Sequence, residues 1–257
     1  MPIRVHFGTQ AIYGFLLTLT RVAGALTLLP LPGFQNTPQS ARIILIIGIA
    51  FCLFPLWPAT VPMSGDAGAL ALAAVSETAA GLLIGLSVAF IFEAFQLGAQ
   101  AISFQTGFGF ASTFDPSSQA DSGVFQVFTQ LACGLMFFGF GIHSELVRML
   151  ARSMVLFHLE GDAFKGHSLM FILQQGTSMF ITSLKLALPV VALLFVVDQA
   201  LAGISRLQAQ LQLLNLAFPA KIALSIFFFA ALLTRWPSLY DRWAHEVLGK
   251  LIQLFAQ

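Results

Sequence analysis

Long apolar segments separated by short polar or proline-rich breaks dominate the hydropathy pattern of this chain. Three stretches contain no Asp, Glu, Lys or Arg: 22–41, 43–65 and 122–144. Because a helix needs about 20 apolar residues to cross a bilayer core, each of them is long enough. Shorter apolar runs, each bounded by charged residues, lie at 78–92, 186–197 and 222–234. The pattern predicts an all-α membrane protein with about six to eight helices.

Prolines and glycines indicate where the helices stop. The first third of the chain carries two proline groups, within 29–38 and within 55–66. Each proline removes an amide donor and disfavours a helix at the residue before it, so we expect a connection at both places. Two later breaks are predicted, one in the glycine-rich segment 104–123 and one in the polar sequence EGDAFKG at 160–166.

Segment 104–123, FQTGFGFASTFDPSSQADSG, is aromatic, glycine-rich and almost uncharged. Glycine gives the backbone freedom, and Asp115 with Pro116 is suited to a turn that caps the start of the next helix. A packed interhelical loop with its phenylalanines in the core is one interpretation of this segment. The phenylalanines are Phe104, Phe108, Phe110 and Phe114, and the glycines are Gly107, Gly109 and Gly123.

Composition supports a membrane protein. Of the 257 residues, 58% are hydrophobic and 9% are charged, and the mean hydropathy is +0.87. Soluble domains have about 45–50% apolar and about 25% charged residues. A net charge of +1 gives no electrostatic footprint for nucleic acid. The N-terminal apolar run 11–19 is expected to remain as a first helix rather than to be cleaved as a signal peptide.

One face of the helix predicted over 81–107 carries small residues first and polar residues later. At about 100° per residue these positions fall within a sector of about 120°. Small residues four apart allow helices in membranes to approach closely. The face therefore packs against protein with its polar groups hydrogen-bonded, or it faces a water-filled lumen. Its members are Gly81, Gly85, Ala89, Glu93, Gln96, Gln100, Ser103 and Gly107.

Further charged residues lie within or beside apolar segments. They are Arg21, Glu77, Lys185, Asp198, Arg206 and Lys221. A charge at bilayer depth costs at least about 2.5–3.5 kcal/mol on insertion scales, so such residues usually pair or line a cavity. Counting Glu93, there are three acids and four bases, so we expect pairing within the chain or with partner subunits. An ion or proton relay is the alternative.

Signals for catalysis are weak. The sequence GFGFAS lacks the strand and the lysine of a phosphate-binding loop. His158, Glu160, Asp162 and His167 match no known metal-ligand spacing and lie in the polar linker. Residues 143–145, His-Ser-Glu, would need spatial proximity that sequence cannot show. We therefore predict that the chain is not an enzyme and has no metal or cofactor.

With these residues identified, the whole chain resembles the FliR family of the flagellar type III export apparatus, whose relatives in injectisomes are the SctT proteins. The opening pattern is Arg21, Pro30, Pro38 and Arg42, followed by an E-x3-G-x3-G helix from Glu77. The most specific segment is LGAQAISFQTGFGFASTFDP, which ends at Pro116. His143, Ser153, ALPV at 187–190 and ISRLQAQLQLLNLAFPAK at 204–221 complete the match. The chain departs from the family pattern at Ala209 and Gln210, where Pro-Gln is usual.

The resemblance implies one export-apparatus domain over 1–257, built of long kinked helical hairpins that are wound into a helical export gate. It implies assembly with FliP-like and FliQ-like subunits and docking of an FlhB-like switch protein, in the bacterial inner membrane at the flagellar basal body. The alternatives are an injectisome subunit of the same family, or a small-molecule or ion transporter that uses Glu93, Lys185 and Asp198.

The resemblance also implies that flagellar subunits are translocated past a pore plug formed by the Asp-Pro loop. The plug residues would then be Phe104, Gln105, Gly107, Phe108, Gly109, Phe110, Phe114, Asp115 and Pro116. Gln96, Gln100 and Gln210 would join the charged residues above as polar positions within the membrane or between subunits.

Overall fold

The computed structural model describes residues 9–30, 37–57, 67–107, 123–156, 166–207 and 213–255. Over these ranges the chain forms eight α-helices and one short 3₁₀ helix, Phe54–Leu56, with no β-strand. The predicted all-α class is confirmed. The α-helices, α1 to α8 in chain order, are Thr9–Thr27, Gln39–Cys52, Ala67–Thr106, Val124–Gly139, Ile142–Leu156, Gly166–Leu207, Leu213–Leu233 and Trp236–Phe255.

Helices α3 and α6 are much longer than the hydropathy pattern predicted, with 40 and 42 residues. Glu77 and Glu93 bound the apolar run 78–92, but both lie inside α3. A single carboxylate does not end a helix when it is paired or reaches the helix surface, because it leaves the backbone hydrogen bonds intact. The helix predicted over 81–107 is the later part of α3, and its predicted end at Gly107 agrees with the observed end at Thr106.

The apolar stretch 122–144 contains a break that the hydropathy pattern did not predict. Helix α4 ends at Gly139 and α5 begins at Ile142. Between them Gly141 has a φ of +72°, in the left-handed region that favours glycine and ends helices. The uncharged stretch is thus one helix and the beginning of another.

Two helices satisfy the length and hydropathy expected of a membrane span, Gly68–Thr106 in α3 and Ser168–Ile204 in α6. Two further pairs, α4 with α5 and the part of α7 from Pro219 with α8, satisfy the criterion only when joined, and each pair is bent at its break. Among the described residues there are therefore two candidate spans, or up to four if each bent pair crosses as one.

The chain divides into two compact units. The first comprises Met1–Phe90, Phe137–Gly176 and Ala244–Gln257, and the second comprises Ile91–Met136 and Thr177–Trp243. Helices α3, α4, α6 and α8 contribute residues to both units. Each unit has its own interior, described separately below.

In the first unit α1 and α3 pack backbone against backbone. A Cβ atom on Gly81 would overlap the carbonyl oxygen of Arg21, and one on Gly85 would overlap that of Ala25. Because the contacting positions advance together along both helices, α1 and α3 run parallel. The predicted close approach at Gly81 and Gly85 is therefore present.

An aromatic corner holds the end of α2 in the same unit. The Trp57 ring lies 5.1 Å from the Phe15 ring of α1 and 4.8 Å from the Phe54 ring, between centroids. The indole N–H of Trp57 donates to the carbonyl oxygen of Ala50 at 2.9 Å. The 3₁₀ turn after α2 is thus joined to both preceding helices.

In the second unit α3 continues against α6. A Cβ atom on Gly98 would lie 3.2 Å from the carbonyl oxygen of Ser183. Aromatic rings fill the space beside this contact: the Phe95 ring lies 5.4 Å from those of Trp236 and Tyr240, between centroids. The part of α8 that belongs to this unit is therefore fixed by its aromatic face.

Helix α6 leaves much of its apolar surface uncovered. Within the most apolar window of each candidate span, 61% of the α3 residues but only 28% of the α6 residues are buried. Because a large apolar surface is unfavourable in water, lipid or another protein must cover this one. The exposed side chains of α6 include Leu173, Phe180, Leu184, Leu188, Phe195 and Val196.

We expect that Gly81→Ala destabilises the protein, because the added methyl group would force α1 and α3 apart. Overpacking of this kind typically costs about 1–3 kcal/mol. The measurement is the temperature at which half of the chain aggregates in detergent extracts of membranes. Gly48→Ala is the matched control, since Gly48 is also helical but a Cβ atom there would meet nothing within 4 Å. An equal aggregation temperature for the two variants would contradict the close packing.

Candidate functional site

A buried polar network joins three helices of the first unit. The Arg21 guanidinium of α1 donates to the Glu77 carboxylate of α3 and, at 3.1 Å, to the Ser153 hydroxyl of α5. Ser153 in turn donates to the carbonyl oxygen of Leu150 at 2.8 Å. Arg21, Glu77 and Ser153 are all buried, with Arg21 only 1% exposed. We call these three residues the Arg21 network.

The glycines of α3 determine where the Arg21 network forms. Glu77, Gly81 and Gly85 are spaced by four residues, so they lie on one face of α3. Arg21 and Ala25 have the same spacing on α1. Because the glycines bring the two backbones together, the Arg21 side chain meets the Glu77 carboxylate one turn before the closest contact. A buried ion pair repays its desolvation only when its geometry is this direct.

A second polar network lies in the second unit, at the C-terminal end of α3. The Lys221 ammonium of α7 lies 2.8 Å from one oxygen of the Asp198 carboxylate and 3.1 Å from the other. The Gln105 amide of α3 donates to Asp198 Oδ2 at 3.0 Å. The Lys221 side chain is 14% exposed and that of Asp198 is 35% exposed, so the network is partly buried. We call Gln105, Asp198 and Lys221 the Asp198 network.

Helix α3 ends immediately after this network. Gly107 has a φ of +95°, and its amide donates to the carbonyl oxygen of Phe104 at 3.2 Å. The buried Thr106 hydroxyl lies within hydrogen-bond distance of the carbonyl oxygens of Ile102 and Ser103. A left-handed glycine after tightened backbone hydrogen bonds is a common way to end a helix.

The start of α4 lies against the last turn of α3. The Gly123 amide donates to the Gln126 side-chain oxygen at 2.9 Å, and the amide of Gln126 donates to the Gly123 carbonyl oxygen at 2.8 Å. This reciprocal pattern caps the N-terminus of α4. A Cβ atom on Gly123 would overlap the Ser103 hydroxyl oxygen. The described chain therefore resumes at Gly123 close to the turn of α3 after which it stops at Gly107.

The structure describes only part of the predicted pore plug. Phe104 is exposed, Gln105 is half-buried in the Asp198 network, and Gly107 ends α3. The plug assignment stays a prediction. The remaining plug residues lie outside the described residues: Phe108, Gly109, Phe110, Phe114, Asp115 and Pro116.

The predicted intramembrane polar residues fall into two groups. Arg21 with Glu77, and Asp198 with Lys221, are brought together as ion pairs. The second group makes no hydrogen bond or ion pair to any other described residue, and its side chains are exposed or half-buried. It consists of Glu93, Gln96, Gln100 and Lys185. The Arg206 side chain, Gln210 and the polar linker that holds His158 and Glu160 lie outside the described residues.

The small and polar face predicted on α3 is therefore divided. Its beginning, Gly81 and Gly85, packs against α1, and its end, Ser103, packs against Gly123. Its middle, from Glu93 to Gln100, is open or half-open at its polar positions. Helix packing accounts for both ends, and only the middle is available to water or to a partner.

Sequence reasoning missed three contributions. Ser153 was noted only as part of a family pattern, and Gln105 only as part of the loop, yet each completes a polar network. A polar residue within an apolar helix gives no sign of its partner, so neither pairing had a sequence signal. Gln175 is a third case: it is 2% exposed, and no described residue hydrogen-bonds to either polar atom of its side chain.

The structure offers no candidate metal centre where it can be assessed. Over the described residues no group of three or more His, Cys, Asp or Glu side chains could hold a metal ion. His158, Glu160 and Asp162, which the sequence analysis weighed as ligands, lie outside those residues.

Comparisons with known proteins agree with the fold and the motifs. Residues 12–247 match the model of a family described as bacterial export proteins, family 1. The flagellar biosynthetic protein FliR of Bacillus subtilis (strain 168) is 31% identical over 218 residues, which are 82% of each chain.

Two further relatives carry the same name. FliR of Escherichia coli (strain K12) is 25% identical over 239 residues, 93% of this chain and 91% of the relative. FliR of Pectobacterium carotovorum subsp. carotovorum is 26% identical over 256 residues, 98% of this chain and 95% of the relative. The similarity thus extends over nearly the full length of these proteins.

We expect that Arg21→Met destabilises the protein by about 3–5 kcal/mol, because it leaves the Glu77 carboxylate buried without its countercharge. The double variant Arg21→Met with Glu77→Leu removes both charges and should recover most of the loss. The measurement is again the aggregation temperature in detergent extracts.

The control is Glu145→Gln, which breaks the exposed pair between Glu145 and Arg148. Exposed pairs contribute about 0–1 kcal/mol, so this variant should behave like the parent. If Arg21→Met is no less stable than Glu145→Gln, the Arg21 network does not hold the three helices.

Proposed function

Because this chain belongs to the bacterial export proteins, family 1, we propose that it is a membrane component of the flagellar protein export apparatus. The observation that carries the proposal is the family match over residues 12–247, together with the name FliR that the relatives above share. The two long apolar helices fit a membrane component. The shared flagellar name favours this function over an injectisome role.

We propose that the chain forms part of the wall of a protein-conducting channel and performs no chemistry of its own. An export channel needs a seal that blocks ions yet yields to an arriving polypeptide. Segment 108–122 supplies phenylalanines for such a seal, since hydrophobic constrictions close by excluding water. In this proposal Phe104, Phe108, Phe110 and Phe114 are the sealing side chains.

Three features of the described residues support this proposal. Helix α3 ends at a left-handed glycine, α4 begins at a capped glycine, and the last turn of α3 touches that second glycine. A segment with adjacent ends can project from the helices without separating them. Segment 108–122 carries no Lys, Arg or Glu, so a closed seal would bury at most Asp115 and Asp121 as charges.

We further propose that the complex contains FliP-like and FliQ-like subunits and an FlhB-like switch protein, and lies in the bacterial inner membrane at the flagellar basal body. The uncovered apolar surface of α6 supports a role for partner subunits. Lys185 is exposed within the same helix. Because an ammonium is costly in lipid, a protein partner is the better cover. Exported flagellar subunits are the proposed translocated substrates.

A solute transporter that uses Glu93, Lys185 and Asp198 is less well supported. Asp198 is paired with Lys221, while Glu93 and Lys185 are exposed on different helices. Uptake of a solute by the purified chain alone would favour that alternative.

We expect that deletion of 107–111 raises ion leakage several-fold in cells that carry the assembled complex, because the seal loses two glycines and two phenylalanines. The measurement is the membrane conductance of such cells. The double variant Phe108→Ser with Phe110→Ser keeps the chain length and should leak in the same direction.

The control is the same deletion in cells without the partner subunits, where no channel exists and no leak is expected. Unchanged conductance for both the deletion and the double serine variant, in complexes that assemble normally, would contradict the plug.

We also expect an affinity-tagged chain to co-purify with two other small polytopic membrane proteins. Expressed alone, it should aggregate in detergent, because the apolar surface of α6 then has no protein cover. The measurement is size-exclusion chromatography with mass determination. A monodisperse, folded monomer would argue against a constitutive complex.

A further inference from the structure

The Asp198 carboxylate accepts more contacts than charge balance requires. Lys221 lies within hydrogen-bond distance of both carboxylate oxygens and already supplies the countercharge. Gln105 adds no charge, yet its amide donates to Asp198 Oδ2 at 3.0 Å. A carboxylate has about four acceptor positions, so it can take this extra donor from a third helix. The contribution of Gln105 is therefore positional.

The position of Gln105 makes this contact important for the end of α3. It is the second-last residue of the helix, and Gly107 follows with its positive φ. The last carbonyl groups of a helix have no intrahelical partner, so final turns fray unless other contacts hold them. Contacts that hold this last turn therefore also fix the direction in which the chain leaves α3.

The point where the chain returns lies against the same turn. Ser103 is buried, and a Cβ atom on Gly123 would lie 3.3 Å from its Cβ atom. Gly123 also caps α4 through Gln126. The last turn of α3 thus makes two contacts: Gln105 holds it to α6 and α7, and Ser103 holds it to α4.

We propose that Asp198 is a positioning residue that fixes the last turn of α3 onto α6 and α7. Through Gln105 it sets the register of Ser103 against Gly123, and so keeps the two ends of segment 108–122 together. The inference rests on the proposed function, because these ends are where the plug is anchored.

The test is the rate at which a disulfide forms between the two introduced thiols of the double variant Ser103→Cys with Gly123→Cys, measured in membranes under mild oxidation. Disulfides form at Cβ–Cβ separations of about 3.5–4.5 Å, close to the separation found here. The native thiols are first removed by Cys52→Ser and Cys133→Ala. The full chain is used, co-expressed with its partner subunits.

In this background Gln105→Met removes the amide donor but keeps the ion pair between Asp198 and Lys221. We expect it to slow cross-linking several-fold, and Asp198→Asn to slow it as well. Gln105→Glu should slow it further, since a second carboxylate would repel Asp198. Gln130→Met is the matched control, because the Gln130 amide lies on α4, is half-buried and bonds to no other described residue.

Cross-linking in Gln105→Met as fast as in Gln130→Met would overturn the positioning role. The aggregation temperature is measured in parallel, and equal values for the two variants exclude general destabilisation as the cause of slower cross-linking. Conductance separates the two proposals. If Gln105→Met slows cross-linking but the 107–111 deletion causes no leak, the positioning role is supported and the plug is contradicted. If cross-linking is unchanged but the deletion causes a leak, the plug is supported and the positioning role is contradicted.

Discussion

A guanidinium group is stable among apolar helices only if an acid and further hydrogen-bond acceptors lie against it, and this requirement organises the first unit. Arg21 satisfies it through Glu77 and Ser153, which lie on two other helices. The contact exists because Gly81 and Gly85 let the backbones of α1 and α3 touch. Desolvation opposes every buried ion pair, so a loosely packed version would lose more than it gains. The close packing of the glycines and the pairing of the charges therefore depend on each other.

The second unit uses polar groups differently. Its ion pair between Asp198 and Lys221 is only partly buried and stands beside the end of α3 rather than against the middle of a helix. Such a pair contributes less to stability and more to the placement of what it touches. The chain thus contains both kinds of polar interaction, one buried between helices and one at the end of a helix.

Much of the fold was predictable from sequence, and the failures have clear causes. Apolar length identified the membrane class, the two proline groups marked real breaks, and four-residue spacing identified Gly81 and Gly85 as contact positions. The predicted end of the helix at Gly107 agrees with the observed end of α3, whereas its beginning was missed because Glu77, satisfied by Arg21 on another helix, lies inside it. Hydropathy overlooked the break at Gly141, because a left-handed turn needs no polar residue. For the candidate site, the sequence predicted the type of interaction but not the residues that take part in it. Pairing of the intramembrane charges was expected, but which residues pair depends on tertiary contacts that hydropathy does not encode.

The sequence distance within the Arg21 network has a consequence for biosynthesis. Arg21 leaves the ribosome 56 residues before Glu77, so α1 reaches the membrane while its acidic partner in the network has not yet been made. An unpaired arginine is disfavoured in the bilayer core by about 2.5–3.5 kcal/mol. Helix α1 alone therefore carries an uncompensated charge, and the Arg21 network forms only once α3 has been made. The packing of the first helix is thus completed by the third.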